Sequence, residues 1–164
     1  MKVLIVFASS HGTTEKAAHM LRDLVSGEAD IIDLKVNANP DIRQYDAVII
    51  GASIHAGTIA RKEKKFIAQN QDLLTTKKIG LYLCCMWEGE VAQEQFEQAF
   101  PKELRDISKA NGLFGGEFVF KNMNFLEKQI VKIVNGARED VSKLDIEAIK
   151  EFAAKMNAHL LCEV

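Results

Sequence analysis

Three nearly continuous apolar runs limit what this 164-residue chain can fold into. They are VLIVFA at residues 3–8, AVIIGA at residues 47–52 and IGLYLCC at residues 79–85. Such runs fit strands that are buried on both faces, as in a parallel sheet covered by helices. Helical patterns occupy the segments that follow these runs, so strand and helix alternate from end to end.

The alternation predicts a right-handed, doubly wound α/β sheet. The predicted strands are Lys2–Ala8, Asp30–Lys35, Ala47–Ala52, Lys78–Cys85 and Phe114–Phe120. The predicted helices are Thr13–Ser26, Arg61–Leu74, Val91–Ala110, Phe125–Gly136 and Asp145–Leu161, the last with Asp145 as its N-cap. Five strands without a Gly-x-Gly-x-x-Gly motif favour the strand order 2-1-3-4-5. The helix Phe125–Gly136 is an addition, because such a fold needs only one helix after its fifth strand.

Composition narrows the class of protein further. The length suits one domain over residues 1–164, and 48% hydrophobic residues can form a sizeable core. A net charge of -2 gives no overall attraction to nucleic acid or to an anionic membrane. Three cysteines make no disulfide framework, and no run reaches transmembrane length. We expect a cytoplasmic protein.

The richest local signal follows the first strand. Its residues are Ser9, Ser10, His11, Gly12, Thr13 and Thr14. A helix begins there, and the free N–H groups and dipole of a helix N-terminus favour an anion. Hydroxyl side chains add donors, and glycine permits close approach of the backbone. A capped strand-to-helix turn would use the same residue types. Four hydroxyls in six residues favour a phosphate site.

Two further strand ends meet the same edge of such a sheet. The third strand ends in Ala52, Ser53, Ile54, His55, Ala56 and Gly57, and the fourth is followed by Met86, Trp87, Glu88 and Gly89. The first of these loops could offer backbone groups to the polar edge of a planar ligand, and Trp87 could stack on its ring. Alone, Trp87 fits a loop-anchoring or core aromatic equally well, and His55 fits a solvent-exposed loop residue. For the adjacent Cys84 and Cys85 we favour packing over redox activity.

Several other chemistries lack their required residues. A phospho-acceptor domain needs aspartates after the first and third strands, and neither end has one. A phosphate-binding loop of the Gly-x-x-x-x-Gly-Lys-Ser/Thr type is absent, as is a Gly-x-Ser-x-Gly elbow. No arginine follows the cysteine pair as a cysteine phosphatase requires, and the four histidines are scattered, which argues against a metal site.

The chain resembles flavodoxin-like FMN proteins. Residues 9–15, SSHGTTE, are similar to the hydroxyl-rich phosphate loop of that family, and residues 48–57, VIIGASIHAG, resemble the third-strand signature of its menaquinone-dependent protoporphyrinogen oxidase group. That group also carries extra sequence before its last helix. The resemblance implies a flavodoxin-like fold and FMN as cofactor. We expect the loop that contains Trp87 to form the third wall of this FMN site, beside the two loops that carry the resemblance. His11 replaces a hydroxyl residue of electron-carrying flavodoxins, and the oxidase's aromatic and basic pattern is weak beyond Gly115.

Three functions stay open at this point. The first is an FMN-dependent oxidoreductase, similar to protoporphyrinogen oxidase and with a quinone as acceptor. The second is a one-electron carrier that docks a redox partner, and the third is a flavin-free binding module. Glu88 and Glu90, if they lie close to the ring, would lower the flavin's potential. The basic, amphipathic helix Phe125–Gly136 could pack on the sheet, wall a quinone site, or bring residues 121–138 to a membrane surface. The oligomeric state is not predicted.

Overall fold

A five-stranded parallel sheet forms the centre of the molecule. The computed structural model describes residues 1–55, 57–118, 125–126, 128–129 and 140–161. The sheet strands are β1 (Lys2–Phe7), β2 (Glu28–Asp33), β3 (Ala47–Ser53), β4 (Lys78–Cys84) and β5 (Ala110–Leu113). The helices are α1 (Thr13–Leu24), α2 (Arg61–Leu74), α3 (Gly89–Ala99), α4 (Lys102–Ile107) and α5 (Ile146–Leu161). The strand order β2-β1-β3-β4-β5 confirms the predicted topology.

Alternate residues of each central strand enter two separate cores. On one face, Leu4 and Val6 of β1 pack with Phe66 of α2 and Phe96 of α3. On the other face, residues of opposite parity pack against α1 and α5, for example Ile5 with Leu21, Phe152 and Met156. The three apolar runs are therefore buried on both faces, which is why they contain so few polar residues.

The carboxyl ends of the central strands lie level with one another. Phe7 of β1 is opposite Gly51 of β3, and Ser53 of β3 is opposite Cys84 of β4. The loops that follow these three strands consequently emerge side by side at one edge. This is the edge at which open α/β sheets bind ligands.

Two of the predicted elements differ clearly from the observed ones, whereas the bounds of the other described elements differ from their predictions by at most two residues. The fifth strand is Ala110–Leu113, not Phe114–Phe120, because a short edge strand containing Asn111 and Gly112 has no apolar run to mark it. The predicted helix Val91–Ala110 is two helices, α3 and α4, with extended backbone at Phe100 and Pro101 between them. Proline removes a backbone donor, so it is tolerated at the start of α4 and not inside a continuous helix.

The extra segment before α5 begins and ends at a small antiparallel ladder. Its strands are β6 (Glu117–Phe118) and β7 (Val141–Ser142). Gly115 has φ 69°, and an added Cβ there would lie 1.9 Å from the carbonyl oxygen of Lys143, so only glycine allows the two chain segments to approach. Most of the predicted helix Phe125–Gly136 lies outside the described residues. At its start, residues 125–126 and 128–129 are helical.

Close packing at Gly51 generates a stability prediction. A Cβ at this position would lie 2.0 Å from Cζ of Tyr82, a buried ring whose hydroxyl donates to the carbonyl oxygen of Thr14. We expect Gly51→Ala to destabilise the fold by about 1–3 kcal/mol, since the ring has no room to move. Urea denaturation measures the loss.

The matched control removes the ring that causes the clash. In a Tyr82→Leu background, Gly51→Ala should cost much less, because the two substitutions are in contact and are not additive. Equal losses in the two backgrounds would contradict the packing described for Gly51.

Candidate functional site

The hydroxyl loop (Ser9–Thr14) connects β1 to α1 and leaves the N-terminus of that helix open. Gly12 is the N-cap residue, with φ 92° in the left-handed region, and its N–H donates to Oγ of Ser9 over 2.9 Å. No side chain caps α1. The N–H groups of its first turn, which have no partner within a helix, are thus arranged as an anion site requires.

The four hydroxyls of this loop have different environments. Ser10 is exposed, and its Oγ accepts a hydrogen bond from Nζ of Lys35 over 3.0 Å. Thr13 and Thr14 are only 7% and 1% exposed. The Thr13 hydroxyl lies near the carboxylate of Glu117, and the Thr14 hydroxyl lies near the thiol of Cys84. Because both threonine side chains are buried, only the backbone of these two residues is left to contact a ligand.

The hairpin loop (Ile54–Thr58) follows β3 and contacts the hydroxyl loop. The N–H of His55 donates to the carbonyl of Thr58 over 2.9 Å, and the reciprocal bond is 3.1 Å long. Gly57 makes the turn with φ 78°, and Ala56 lies outside the described residues. The rings of His11 and His55 stack with their centroids 5.0 Å apart, and Oγ of Ser53 lies 3.1 Å from Nε2 of His55. The two predicted loops therefore meet, as expected.

The tryptophan loop (Cys85–Gly89) follows β4 and completes the edge. Trp87 is 48% exposed, so it is not a core aromatic, and Met86 is half-buried beside it. Nζ of Lys143 lies 2.9 Å from Oε1 of Glu88, which places a cation next to the acidic residue. A cavity of about 230 Å³ opens between this loop and the start of the extra segment. Its lining is Cys85, Met86, Trp87, Glu88, Gly89, Leu113, Gly115, Lys143 and Asp145.

The two adjacent cysteines belong to the cores. Cys84 faces the layer of α1 and α5, and Cys85 faces the layer of α2 and α3. Burial raises the pKa of the Cys84 thiol to about 12, and it raises the pKa of the Cys85 thiol as well. Protonated, enclosed thiols are poor nucleophiles. This is the packing role that the sequence favoured.

A buried carboxylate behind the loops was not predicted from the sequence. Glu63, in the first turn of α2, is 0% exposed. Its Oε1 accepts the N–H of Ala8 and its Oε2 accepts the N–H of Ala60, both over 3.0 Å. Burial raises its pKa to about 8, although both N–H donors oppose this shift. Its position three residues after the N-cap was the available signal.

Two cations at the site were also missed. Lys35 lies in the turn after β2, and Lys143 directly follows β7. Neither residue belongs to a recognisable motif. Within the described ranges, no three His, Cys, Asp or Glu side chains gather in a way that could hold a metal ion. Among the helices described, none is long and apolar enough to cross a membrane.

Comparison with known proteins assigns the family. Residues 4–145 match the model of the flavodoxin domain, which is most of the chain. The chain belongs to the flavodoxin domain family. Its fold is similar to that of oxidised flavodoxin 1 from Bacillus cereus, with a TM-score of 0.61, 21% identity, and coverage of 97% of this chain and 99% of that one. It is also similar to rubredoxin:oxygen oxidoreductase from Desulfovibrio gigas, with a TM-score of 0.51, 19% identity, and coverage of 98% and 37%.

Two curated relatives are similar to this chain in sequence. The flavodoxin-like domain-containing protein BilS of Clostridioides difficile (strain CD3) is 33% identical over 84 residues, which is 50% of this chain and 46% of that protein. The match thus spans about half of each protein. Protoporphyrinogen IX dehydrogenase [quinone] of Leishmania major is 20% identical over 173 residues, covering 96% of this flavodoxin-family chain and 75% of that protein.

The raised pKa of Glu63 predicts a pH-dependent stability. A carboxyl group with a higher pKa in the folded state contributes stability that is present below its unfolded value of 4.5. That contribution is lost as pH rises through about 8. We expect the free energy of unfolding of the wild type to fall over this range relative to that of Glu63→Gln. Urea denaturation at pH 5, 7 and 9 gives the difference.

The control is Glu151→Gln, which makes the same chemical change at an exposed position of α5. Its profile should run parallel to that of the wild type. Parallel profiles for Glu63→Gln and the wild type would contradict the prediction, because they would show that the folded and unfolded states have the same pKa at Glu63.

Proposed function

We propose that this protein binds FMN and uses it to transfer electrons as an oxidoreductase. The observation that carries the proposal is the open N-terminus of α1, with hydroxyls and Lys35 around it and an exposed tryptophan at the same edge. These residues fit the cofactor. Uncapped N–H groups suit the phosphate, and added Cβ atoms at Gly57 and Gly89 would meet nothing within 4 Å, so both loops have space beside them.

Each loop has a separate task in this proposal. Backbone N–H groups of Thr13 and Thr14, with the hydroxyls of Ser9 and Ser10, hold the phosphate. Lys35 supplies a positive charge, since its Nζ already lies 3.0 Å from Oγ of Ser10. Residues of the hairpin loop and the tryptophan loop border the ring system. FMN itself, when bound, supplies the redox chemistry, and the chain supplies position and electrostatics.

The pairing of Glu88 with Lys143 changes what the acidic residue can do. A lone carboxylate near the ring would lower the flavin's potential. A cation 2.9 Å from that carboxylate offsets most of its field at the ring. We therefore assign the pair, and not Glu88 alone, as the local charge that the flavin meets.

The finer proposal is oxidation of a porphyrinogen-like substrate with a quinone acceptor. Similarity to the quinone-linked dehydrogenase over 96% of the chain supports it. In the extra segment, Phe125 and Leu126 are 73% and 71% exposed, which offers an apolar surface to a quinone or to a membrane. A one-electron carrier that docks a redox partner is the alternative.

Binding of the flavin tests the core of the proposal. The purified protein should quench the fluorescence of added FMN with a stoichiometry of one. Lys35→Met should weaken FMN binding by about threefold to tenfold, because it removes a charge-assisted contact, and should leave riboflavin binding unchanged. Lys155→Met, at an exposed position of α5, is the matched control. The proposal would be wrong if the protein bound neither FMN nor riboflavin.

Activity assays then separate the two finer alternatives. Reduced, FMN-loaded protein is mixed anaerobically with a menaquinone analogue, and the oxidised form is mixed with protoporphyrinogen. Oxidation of the reduced flavin by the quinone together with reduction of the oxidised flavin by protoporphyrinogen supports the oxidoreductase, and reaction with neither supports the carrier.

A further inference from the structure

One carboxylate joins the backbones of two loops that are far apart in the sequence. Oε1 of Glu63 accepts the N–H of Ala8, which directly precedes the hydroxyl loop. Oε2 accepts the N–H of Ala60, the last residue of the segment that connects the hairpin loop to α2. Both bonds are 3.0 Å long, and the first links positions 55 residues apart.

Helix capping explains only half of this arrangement. A glutamate at the third helical position commonly accepts the N–H of the N-cap residue, which accounts for the bond from Ala60. It does not account for the bond to β1, nor for the complete burial of the side chain. Burying an ionisable group is costly, so a contact that only closed a helix would favour an exposed position.

We propose that Glu63 is a positioning residue for the flavin, which holds the hydroxyl loop and the hairpin loop at the separation that the bound cofactor requires. The inference rests on the proposed function. It assigns a role to a residue that itself lies behind both loops and touches the flavin through neither oxygen. Because Glu63 itself joins the two loops, binding does not have to order them.

The chemistry of the side chain makes the proposal testable by pH. A carboxylate accepts both N–H groups, whereas the protonated acid and the amide of glutamine each offer one good acceptor and one donor group. Burial raises the pKa of Glu63 to about 8, with Lys35 opposing the shift and Asp33 adding to it. Burial is the main cause of the raised pKa of Tyr82 and of Cys84 in β4, and the charge of Glu63 adds a smaller contribution to each.

The experiment compares FMN affinity of the wild type and Glu63→Gln at pH 6 and pH 9. At each pH we take the ratio of the two dissociation constants, because the titration of FMN affects both constants equally and drops out of the ratio. We expect the variant to bind at least about tenfold more weakly at pH 9, where the carboxylate accepts both bonds, and nearly as tightly as the wild type at pH 6. Glu151→Gln should give a ratio of one at both pH values. A ratio of about one for Glu63→Gln at pH 9 would overturn the proposal.

A ligand-free measurement separates this inference from the proposed function. Amide hydrogen exchange should show the N–H groups of Ala8 and Ala60 protected in the wild type at pH 9, and at least one of them exposed in Glu63→Gln. Loss of protection without FMN binding by the wild type would reject the proposed function and leave the link between the loops intact. Unchanged protection of both amides would reject the link.

A second variant tests the same link between the loops if Glu63→Gln does not fold. Ala60 has φ -61°, which proline adopts, so Ala60→Pro removes one donor and keeps the carboxylate. We expect weaker FMN binding at pH 9 with the amide of Ala8 still protected. Wild-type affinity in this variant would overturn the proposal.

Discussion

Burial of the parallel sheet on both faces is the constraint on which the rest of the structure depends. Helices cover β1, β3 and β4 on either side, so few polar side chains occur along these strands. Functional groups are confined to the loops at the carboxyl edge, where three strands end level with one another. The fold thereby gathers residues from distant parts of the sequence into one site.

Strongly patterned features could be predicted from the sequence. The apolar runs marked three central strands, and the change from VLIVFA to hydroxyl residues marked the start of the site. Asp145 was correctly placed as an N-cap, since its Oδ1 accepts the N–H of Ala148. These features depend on residues close together in the chain, which a sequence pattern reports well.

Features that depend on distant contacts could not be predicted. Gly112 sits in β5 because Phe114 and Phe152 fill the space that a side chain would occupy, which no local pattern shows. Glu63 lies within RKEKK, a segment that reads as a solvent-exposed face, yet it is the one residue there that is buried. Its partner Ala8 is 55 residues away, so only the folded chain shows what the carboxylate does.

The proposed cofactor site depends on the hydroxyl loop holding the phosphate of FMN. A crystal structure of the protein with FMN would show where this phosphate lies. We expect phosphate oxygens about 3 Å from the backbone N–H groups of Thr13 and Thr14, with Nζ of Lys35 on the same group. A bound flavin whose phosphate lies away from the N-terminus of α1 would show that the hydroxyl loop is not the phosphate site.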